Sequence, residues 1–317
     1  MTNNNLIDIL LPTYNGSKYI SVLLDSLFDQ TFQDWHLYVR DDHSKDNTVA
    51  IIEEYSKRYP GKITLLDDGL GNLGIDKNFS TLLATSKAPY ACFCDQDDQW
   101  MKDKLEVSLN AIQKLEKEVP NKPCLVYSNL QMVDENLNVI AESRWKEDNI
   151  KPHYLSLGKL LMQNPINGCV MIMNRRLVDL ANPVPKEALW FDHWVSVVAA
   201  AAGKVDYIDR TTINYRIHEY NASRGENRVT KTEEEDQLSR KLNNKNFVEY
   251  YARLKEQALA VKKRITENGY DNPKANNTIY AFTTLKEMNP ISRRWVMIKN
   301  GFFKHTWVAT FKWLLRI

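Results

Sequence analysis

Short apolar runs alternate with amphipathic segments through the first hundred residues of the chain. Between the runs, apolar side chains recur at helical spacing, as Ile20, Leu23, Leu24 and Leu27 do. This alternation predicts an α/β fold, with a mostly parallel sheet flanked by helices. The predicted strands are residues 6–11, 35–39, 63–66 and 90–94.

The pattern changes after residue 100. The middle of the chain combines a helix after Phe191 with short apolar runs at residues 125–127, 170–173 and 205–208. A charged, helical pattern then extends from about 229 to 268 and ends at an Asn-Gly pair. We therefore expect one α/β unit over residues 1–225, with halves at about 1–100 and 101–225, and a helical C-terminal region over residues 226–317.

Composition narrows the class of protein. The net charge of +2 gives no indication of a nucleic-acid partner, and four cysteines in 317 residues do not form a disulfide framework. The first residues lack a signal-peptide pattern. The longest run of small apolar residues, 195–202, is far shorter than the ~20 residues of a membrane span. We expect a cytoplasmic protein that binds no nucleic acid.

Three polar loops follow predicted strands, at the edge where parallel sheets bind ligands. The most acidic one holds Asp95, Asp97 and Asp98 within four residues. Carboxylates in this density suit Mn²⁺ or Mg²⁺ bridging a diphosphate. The alternative is a solvated turn in which Asp98 caps a helix beginning near Met101.

The other two loops suit a nucleoside. Tyr14 follows the first strand, where an aromatic ring can stack on a base, and Asp41 and Asp42 end the second strand, where carboxylates can accept from base or ribose. The alternatives are simple packing for Tyr14 and a helix cap for Asp46.

Residues 69–74 match the G-x-G-x-x-G pattern of dinucleotide-binding proteins, with Asp95 at about the expected distance. This would indicate a nicotinamide-dependent oxidoreductase. The pattern follows the third strand rather than the first, however, and Asp95 belongs to the acidic loop. The other interpretation is a flexible loop that brings Lys77 and Asn78 to a phosphorylated donor.

Two further segments carry candidate groups. Asp192 stands at the predicted start of a helix, either as its N-cap or as a general base whose pKa the helix N-terminus would lower. His218 is either a structural residue or a nitrogen ligand to the metal of the acidic loop.

Taken in order, these motifs resemble those of glycosyltransferase family 2, and most closely those of bacterial rhamnosyltransferases of cell-wall, capsular or O-antigen synthesis. The resemblance covers about residues 6–225. It rests on PTYNG, QTF at 30–32, DDHSKDNT, GNLG-x-x-x-NF, DQDDQW, NG at 167–168, FDHW and YRIHEYN. His43 departs from the Gly that relatives carry there. A Q-x-x-R-W pattern is absent, which favours transfer of a single sugar.

The resemblance implies a GT-A fold with a Rossmann-like sheet, an inverting mechanism and a Mn²⁺ or Mg²⁺ cofactor. Asp192 would be the base, and Asp97 and His218 the metal ligands. The expected nucleotide-sugar-binding residues are Pro12, Thr13, Tyr14, Asn15, Asp41, Asp42, Lys77, Asn78, Asp95 and Gln96. The expected acceptor-binding residues are Asn167, Gly168, His193 and Trp194.

The implied function is transfer of a sugar, rhamnose from dTDP-rhamnose, to a hydroxyl of a glycan or lipid-linked glycan. The alternatives are a UDP-hexose donor and, less favoured by the motifs, the oxidoreductase. Residues 1–225 would then be the catalytic domain, with a nucleotide-binding half and an acceptor half.

The tail, from about residue 291 to 317, interleaves aromatic and basic residues and has no acidic one. This composition is typical of a helix in an anionic membrane interface, so we expect peripheral contact with the inner face of a bacterial membrane. Alternatively, the aromatic residues pack on the catalytic domain or form a homodimer contact. They are Trp295, Phe302, Phe303, Trp307, Phe311 and Trp313, and the basic residues are Arg293, Arg294, Lys299, Lys304, Lys312 and Arg316.

Overall fold

The computed structural model describes residues 6–219, 221, 233–303 and 310. Tyr220 of the YRIHEYN motif and residues 304–309 and 311–317 of the basic aromatic tail, including Trp307 and Trp313, lie outside these residues. The expected boundary near residue 225 also falls outside them, so the division into two regions stays a prediction.

One mixed sheet forms the centre of the described chain, in the order β3-β2-β1-β4-β8-β6-β9-β5, with β7 paired to β6. The strands are β1 Ile7–Thr13, β2 Trp35–Asp41, β3 Ile63–Leu65, β4 Tyr90–Phe93, β5 Gln99–Trp100, β6 Cys124–Val133, β7 Val139–Ala141, β8 Met171–Asn174 and β9 Lys204–Arg216.

The first half of the sheet is parallel, as predicted. β1 pairs in parallel with both β2 and β4, and β2 pairs in parallel with β3. All seven residues of β1 are buried, which explains why its sequence is mainly apolar, interrupted by Asp8, rather than alternating. Polar loops therefore leave β1, β2 and β4 at the same edge.

The second half mixes both orientations. β8 is antiparallel to β4 and to β6, and β6 is parallel to β9. β6 and β9 extend well beyond the apolar runs predicted at residues 125–127 and 205–208, because polar residues continue both strands. Ser128 Oγ and Thr212 Oγ1, for example, form a buried hydrogen bond of 2.6 Å between these two strands.

Helices cover the sheet and continue into the C-terminal region. Tyr251, Leu254, Ala258, Val261 and Ile265 of α9 are buried within the same core as the sheet. The helices are α1 Ile20–Phe28, α2 Thr48–Arg58, α3 Ile75–Thr85, α4 Lys104–Glu118, α5 Arg144–Glu147, α6 Leu157–Met162, α7 Arg175–Ala181, α8 Phe191–Ala202, α9 Glu233–Glu267, α10 Pro273–Thr283 and α11 Pro290–Asn300.

The sequence left open whether the aromatic residues of the tail contact a membrane or pack on the protein. Phe302 is fully buried and packs edge-on against Phe282, with ring centroids 5.5 Å apart, so this part of the tail does pack on the protein. Across the described residues, every helix is too short or too polar to cross a bilayer.

Candidate active site

The loops after β1 and β2 are tied together by hydrogen bonds. The Asn15 N–H donates to Ser44 Oγ (2.8 Å), and Asn15 Oδ1 accepts from the Lys45 N–H (2.8 Å). The Gly16 N–H donates to Thr48 Oγ1 (2.8 Å). Asn15, which the sequence predicts to bind the nucleotide-sugar donor, therefore connects the loops after β1 and β2.

Gln96 joins the acidic loop to the loop after β1. Its Oε1 accepts from the Tyr14 N–H and its Nε2 donates to the Tyr14 carbonyl, each at 2.9 Å. A Cβ atom at Gly16 would lie 2.3 Å from Gln96 Oε1, so this approach requires glycine. The Tyr14 side chain is 49% exposed. Simple packing is therefore the wrong interpretation of Tyr14, whose ring is open to a nucleobase.

The two carboxylates at the end of β2 also hold loops. Asp41 accepts from the Thr13 hydroxyl (2.8 Å) and from Ser44 Oγ (2.6 Å). Asp42 is buried, and its carboxylate accepts from the N–H groups of Leu73 (2.6 Å) and Gly74 (2.8 Å). The expected contacts of Pro12, Thr13, Asp41 and Asp42 with a nucleoside stay predictions, and Asp42 has little surface free for one.

The buried side chain of Arg40 connects Asp42 to the glycine-rich loop. Its buried guanidinium bonds Asp42 Oδ1 (2.9 Å), Asp68 Oδ2 (2.7 Å) and the carbonyl of Gly71 (2.9 Å). The glycine-rich loop is thus bound to the end of β2. Its glycines Gly69, Gly71 and Gly74 have φ between 67° and 76°, the left-handed region that glycine tolerates. The loop geometry explains these glycines without a dinucleotide.

Three further candidate residues lie in or next to these loops. His43 has a φ of 68°, so it keeps the backbone conformation of the Gly that the resemblance implies. Lys77 is exposed at the start of α3. Asn78 is buried, and its Nδ2 donates to the Arg40 carbonyl (3.1 Å), which disagrees with the expectation that it approaches the donor.

Asp97 and His218 meet, as their predicted common role requires. His218 Nε2 lies 2.7 Å from Asp97 Oδ2, and Asn221 Nδ2 donates to the same oxygen (3.2 Å). The ring of Tyr19 stacks on His218, with centroids 4.9 Å apart, and the Arg216 guanidinium lies 4.7 Å from the Tyr19 centroid. The imidazole is therefore oriented by both polar and aromatic contacts.

A second set of potential ligand atoms combines two residues of the acidic loop with Cys169. Asp95, Asp98 and Cys169 each offer a ligand atom within 4.8 Å of the others. Asp98 is fully buried, and its Oδ2 makes no hydrogen bond to any residue that the structure describes. Burial and the neighbouring carboxylates raise the pKa of both aspartates. A divalent cation fits this site, because it would compensate an unpartnered carboxylate oxygen and the mutual repulsion.

The proposed helix cap at Asp98 is wrong. α4 begins at Lys104, six residues after Asp98, and Asp98 Oδ1 instead accepts from the Arg216 N–H of β9 (3.1 Å). Asp46 accepts from the Thr48 N–H (3.0 Å) at the start of α2, but the residue at the cap position of this helix is Asn47.

Asp192 is the second residue of α8 rather than its cap, which corrects that alternative. Its Oδ1 accepts from the His193 N–H (2.6 Å). Burial raises the pKa of Asp192 to about 7, against the lowering effect of this and other hydrogen bonds, and the Asp76 carboxylate raises it further. The expected lowering by the helix N-terminus is therefore outweighed. The Asp192 carboxylate in turn contributes to the raised pKa of Asp95, so Asp192 and the acidic loop face one site.

Neighbouring residues build the start of α8. Asp76 Oδ1 accepts from the Phe191 N–H (3.2 Å) and so caps this helix from α3. Phe191 stacks on Phe79, with ring centroids 3.8 Å apart. A Cβ atom at Gly168 would lie 2.9 Å from the Phe191 ring and 3.5 Å from Asp192 Cβ. Asn167 and Gly168 thus lie beside the candidate base, and their contact with an acceptor stays a prediction.

His193 and Trp194 are core residues, which corrects their expected role in acceptor binding. Both are fully buried. The imidazole of His193 pairs with the Leu160 carbonyl (2.6 Å) and with Gln257 Nε2 (3.3 Å), and burial lowers its pKa to about 4. Trp194 Nε1 donates to the Ala181 carbonyl (2.8 Å). With no exposed surface, neither side chain can touch an acceptor.

Comparison with known proteins decides the family. The family model of glycosyl transferase family 2 matches residues 8–178, more than half of the chain. This chain belongs to glycosyl transferase family 2. The matched segment contains the acidic loop, the loops after β1 and β2 and the glycine-rich loop.

Within this family, the chain resembles curated bacterial proteins over part of its length. It is 35% identical over 130 residues to a dTDP-rhamnosyl transferase, RfbG, of Shigella flexneri, which is 40% of each chain. It is 30% identical over 131 residues to an Escherichia coli UDP-Glc:α-D-GlcNAc-diphosphoundecaprenol β-1,3-glucosyltransferase, WfgD, which is 41% of this chain and 48% of that one. The matches thus span less than half of these relatives.

Two solved structures share the GT-A fold of this family 2 chain. Staphylococcus aureus TarS in complex with UDP-GlcNAc aligns with a TM-score of 0.52 at 18% identity, over 95% of this chain and 89% of that one. The mannosyltransferase PcManGT of Pyrobaculum calidifontis, in complex with GDP-Man and Mn²⁺, aligns with a TM-score of 0.53 at 15% identity, over 98% and 85%. The expected fold is confirmed.

Several residues of this family 2 site gave no recognisable signal in the sequence. Tyr19, Asp76 and Cys169 are single residues outside any motif that we could interpret, and each reaches the site by folding. Lys104 is a buried lysine whose Nζ lies 4.5 Å from the Trp100 ring centroid, and burial lowers its pKa. A lysine in a polar helical segment is ordinarily exposed, so its burial could not be foreseen.

Proposed function

We propose that this chain is an inverting glycosyltransferase that moves a sugar from a nucleotide diphosphate donor to a hydroxyl group of a glycan. The observation that carries the proposal is the meeting of Asp192 with the acidic loop at one sheet edge. A metal-binding set of carboxylates and a buried base with a pKa of about 7 are the two components that such a transfer needs.

On the donor side, the Tyr14 ring is available to stack on the base. Asp97 and His218 would hold a divalent cation, and the second set of potential ligands, Asp95, Asp98 and Cys169, lies beside them. When bound, Mn²⁺ or Mg²⁺ would neutralise charge that develops on the leaving diphosphate. Lys77, exposed at the start of α3, would add a further positive charge.

On the acceptor side, Asp192 would accept the proton of the attacking hydroxyl. The hydroxyl oxygen forms its bond to the anomeric carbon as the bond from that carbon to the diphosphate oxygen breaks, which inverts the configuration. A base with a pKa near 7 is suited to this transfer at neutral pH. Gly168 lets the start of α8 pack closely beside residues 167–170, because the Phe191 ring occupies the space that a side chain there would need.

We propose dTDP-rhamnose as the donor and a lipid-linked glycan as the acceptor. The similarity to the dTDP-rhamnosyl transferase of Shigella flexneri supports the donor. The similarity to an enzyme named for a GlcNAc-diphosphoundecaprenol acceptor supports the lipid-linked glycan and, equally, a UDP-hexose as the alternative donor. Such a reaction would take place at the cytoplasmic face of the membrane.

A panel of nucleotide-sugar donors tests both the proposed activity and the proposed identity of the donor. The protein is incubated with dTDP-rhamnose, UDP-glucose, UDP-GlcNAc or GDP-mannose, each with Mn²⁺, Mg²⁺ or EDTA, and the released nucleoside diphosphate is measured. We expect metal-dependent release that is fastest from dTDP-rhamnose and absent in Asp97→Ala. If the nucleoside diphosphate is released faster from a UDP-sugar than from dTDP-rhamnose, the UDP-sugar is the donor. If none is released from any nucleotide sugar, the proposed activity is contradicted. Binding of NAD⁺ alone would favour the oxidoreductase.

A further inference from the structure

Helix α11 presents an exposed apolar stripe with a cation on either side. Ile291, Trp295 and Ile298 are 80%, 64% and 68% exposed. Because successive residues of a helix are about 100° apart, the three side chains lie within about 60° of one another around the axis. Arg294 and Lys299 project about 40° beyond the two margins of this stripe.

The helix is held firmly by its opposite face, so the stripe is a feature of the fold. Met297 is buried in the core, and the Arg293 guanidinium donates to the carbonyls of Leu285 and Met288, each at 3.0 Å. The Asn289 side chain caps the first turn, and Gly301 ends the helix with a φ of 67°.

We propose that the α11 stripe lies in the surface of an anionic lipid bilayer. Tryptophan and isoleucine would enter the boundary between head groups and acyl chains, and Arg294 and Lys299 would meet the lipid phosphates. The charge of the surrounding chain fits this occupant. After Glu287 the sequence has six basic residues and no acidic one. Lys299 Nζ also lies 5.4 Å from the Trp295 ring centroid, so cation and aromatic group form one surface.

A second copy of the chain fits the stripe less well. A symmetric contact would bring Arg294 and Lys299 of one copy toward the same cations of the other. Three side chains also form a much smaller surface than the ~800 Å² per partner of a specific protein interface. An anionic bilayer has neither restriction, because its surface is extended and of opposite charge.

Contacts connect this surface to the candidate base. The Asn300 carbonyl at the end of α11 packs so closely on α6 that a Cβ atom at Gly158 would lie 1.9 Å from it. On the same short helix, the Leu160 carbonyl pairs with His193, the neighbour of Asp192. A bilayer on α11 would therefore hold α8 in a fixed relation to the membrane, which suits the lipid-linked acceptor of the proposed function.

Vesicle flotation of the 317-residue protein tests this surface independently of activity. The probes are phosphatidylcholine vesicles with and without phosphatidylglycerol, at low and high salt. We expect binding to the anionic vesicles alone. Replacing Arg294 and Lys299 by Gln should lower the partition coefficient about fivefold for each charge removed. Serine at Ile291, Trp295 and Ile298 should abolish most of the binding, whereas Leu259→Ser, a change at an exposed residue of α9, should not.

A fluorescent label tests the position of the helix directly. The four native cysteines are buried, so a thiol-reactive probe should label only an added surface cysteine. The probe on Ile298→Cys should shift to shorter wavelength when anionic vesicles are added, and the probe on Leu259→Cys should not. The proposal is overturned if the protein does not float, if the triple serine variant floats equally well, or if the Ile298 probe is already buried without vesicles by a second copy or by the tail.

Discussion

His218 Nε2 lies 2.7 Å from Asp97 Oδ2, although 121 residues separate them in the chain. The contact joins the loop after β4 to the segment after β9. Tyr19 stacks on the imidazole, and Asn221 donates to the same carboxylate oxygen. Three segments of the chain are needed to orient this one pair, which is the geometry expected of metal ligands whose orientation matters.

Alanine at either Asp97 or His218 should weaken binding of Mn²⁺ with a nucleoside diphosphate at least tenfold, because both side chains would contact the same cation. Titration calorimetry with Mn²⁺ and dTDP measures the effect. Cys169→Ser is the control, since Cys169 belongs to the neighbouring set of ligand atoms with Asp95 and Asp98. Unchanged Mn²⁺ affinity in His218→Ala, together with a loss in Cys169→Ser, would assign the metal to that second set.

Asp192→Asn should fold, bind donor and lose transfer by about 10²–10⁴-fold, since loss of a general base has effects of this size. Asparagine keeps an oxygen that can accept from the His193 N–H, so the start of α8 should be preserved. Thermal unfolding and dTDP binding monitor the fold, and the single-turnover rate measures transfer. A rate within a few-fold of the unaltered protein would make Asp192 a purely structural residue.

The rate of transfer should fall on the acid side of about pH 7, tenfold per pH unit, as Asp192 takes up a proton. The sign follows from the raised pKa, because the base acts only in its deprotonated form. Asp76→Asn should move this acid limb to lower pH, since it removes a negative charge that raises the pKa of Asp192 and keeps an oxygen for the Phe191 N–H. A rate that does not vary between pH 5 and 8 would contradict this role.

The two central strands of the parallel half, β1 and β4, were predictable because they are buried on both faces and their sequences are mainly apolar. The contact between Asp97 and His218 was predictable only through the order of several motifs, since neither residue is distinctive alone. The true lengths of β6 and β9 were not predictable, because polar residues such as Ser128 and Thr212 satisfy each other inside the strands.

The roles of His193 and Trp194 could not be read from the FDHW motif, because their burial depends on distant segments. Gln257 of α9, 64 residues after His193, donates toward the imidazole and accepts from the Leu189 N–H (2.8 Å). A local pattern places a residue on an element, but the element's other neighbours decide whether its side chain reaches solvent. The motif therefore correctly predicted the start of a helix but misassigned His193 and Trp194, which are buried.

Asp42→Ala should lower both the free energy of unfolding and the affinity for the donor. The substitution removes a buried partner of Arg40, a loss that typically costs about 3–5 kcal/mol, and it releases the Leu73 and Gly74 N–H groups that hold the glycine-rich loop. Because Arg40 keeps Asp68 and the Gly71 carbonyl, we expect the lower end of this range.

Asp68→Ala separates the two effects of that change. Asp68 also pairs with Arg40, but its carboxylate is partly exposed and does not contact the Leu73 and Gly74 amides that Asp42 holds. Denaturant unfolding of both variants should show a smaller loss for Asp68→Ala. Nucleotide titration should show weaker donor binding in Asp42→Ala than in Asp68→Ala, because only the former frees the loop ahead of Lys77. Equal donor affinity in the two variants would mean that Asp42 stabilises the fold without shaping the donor site.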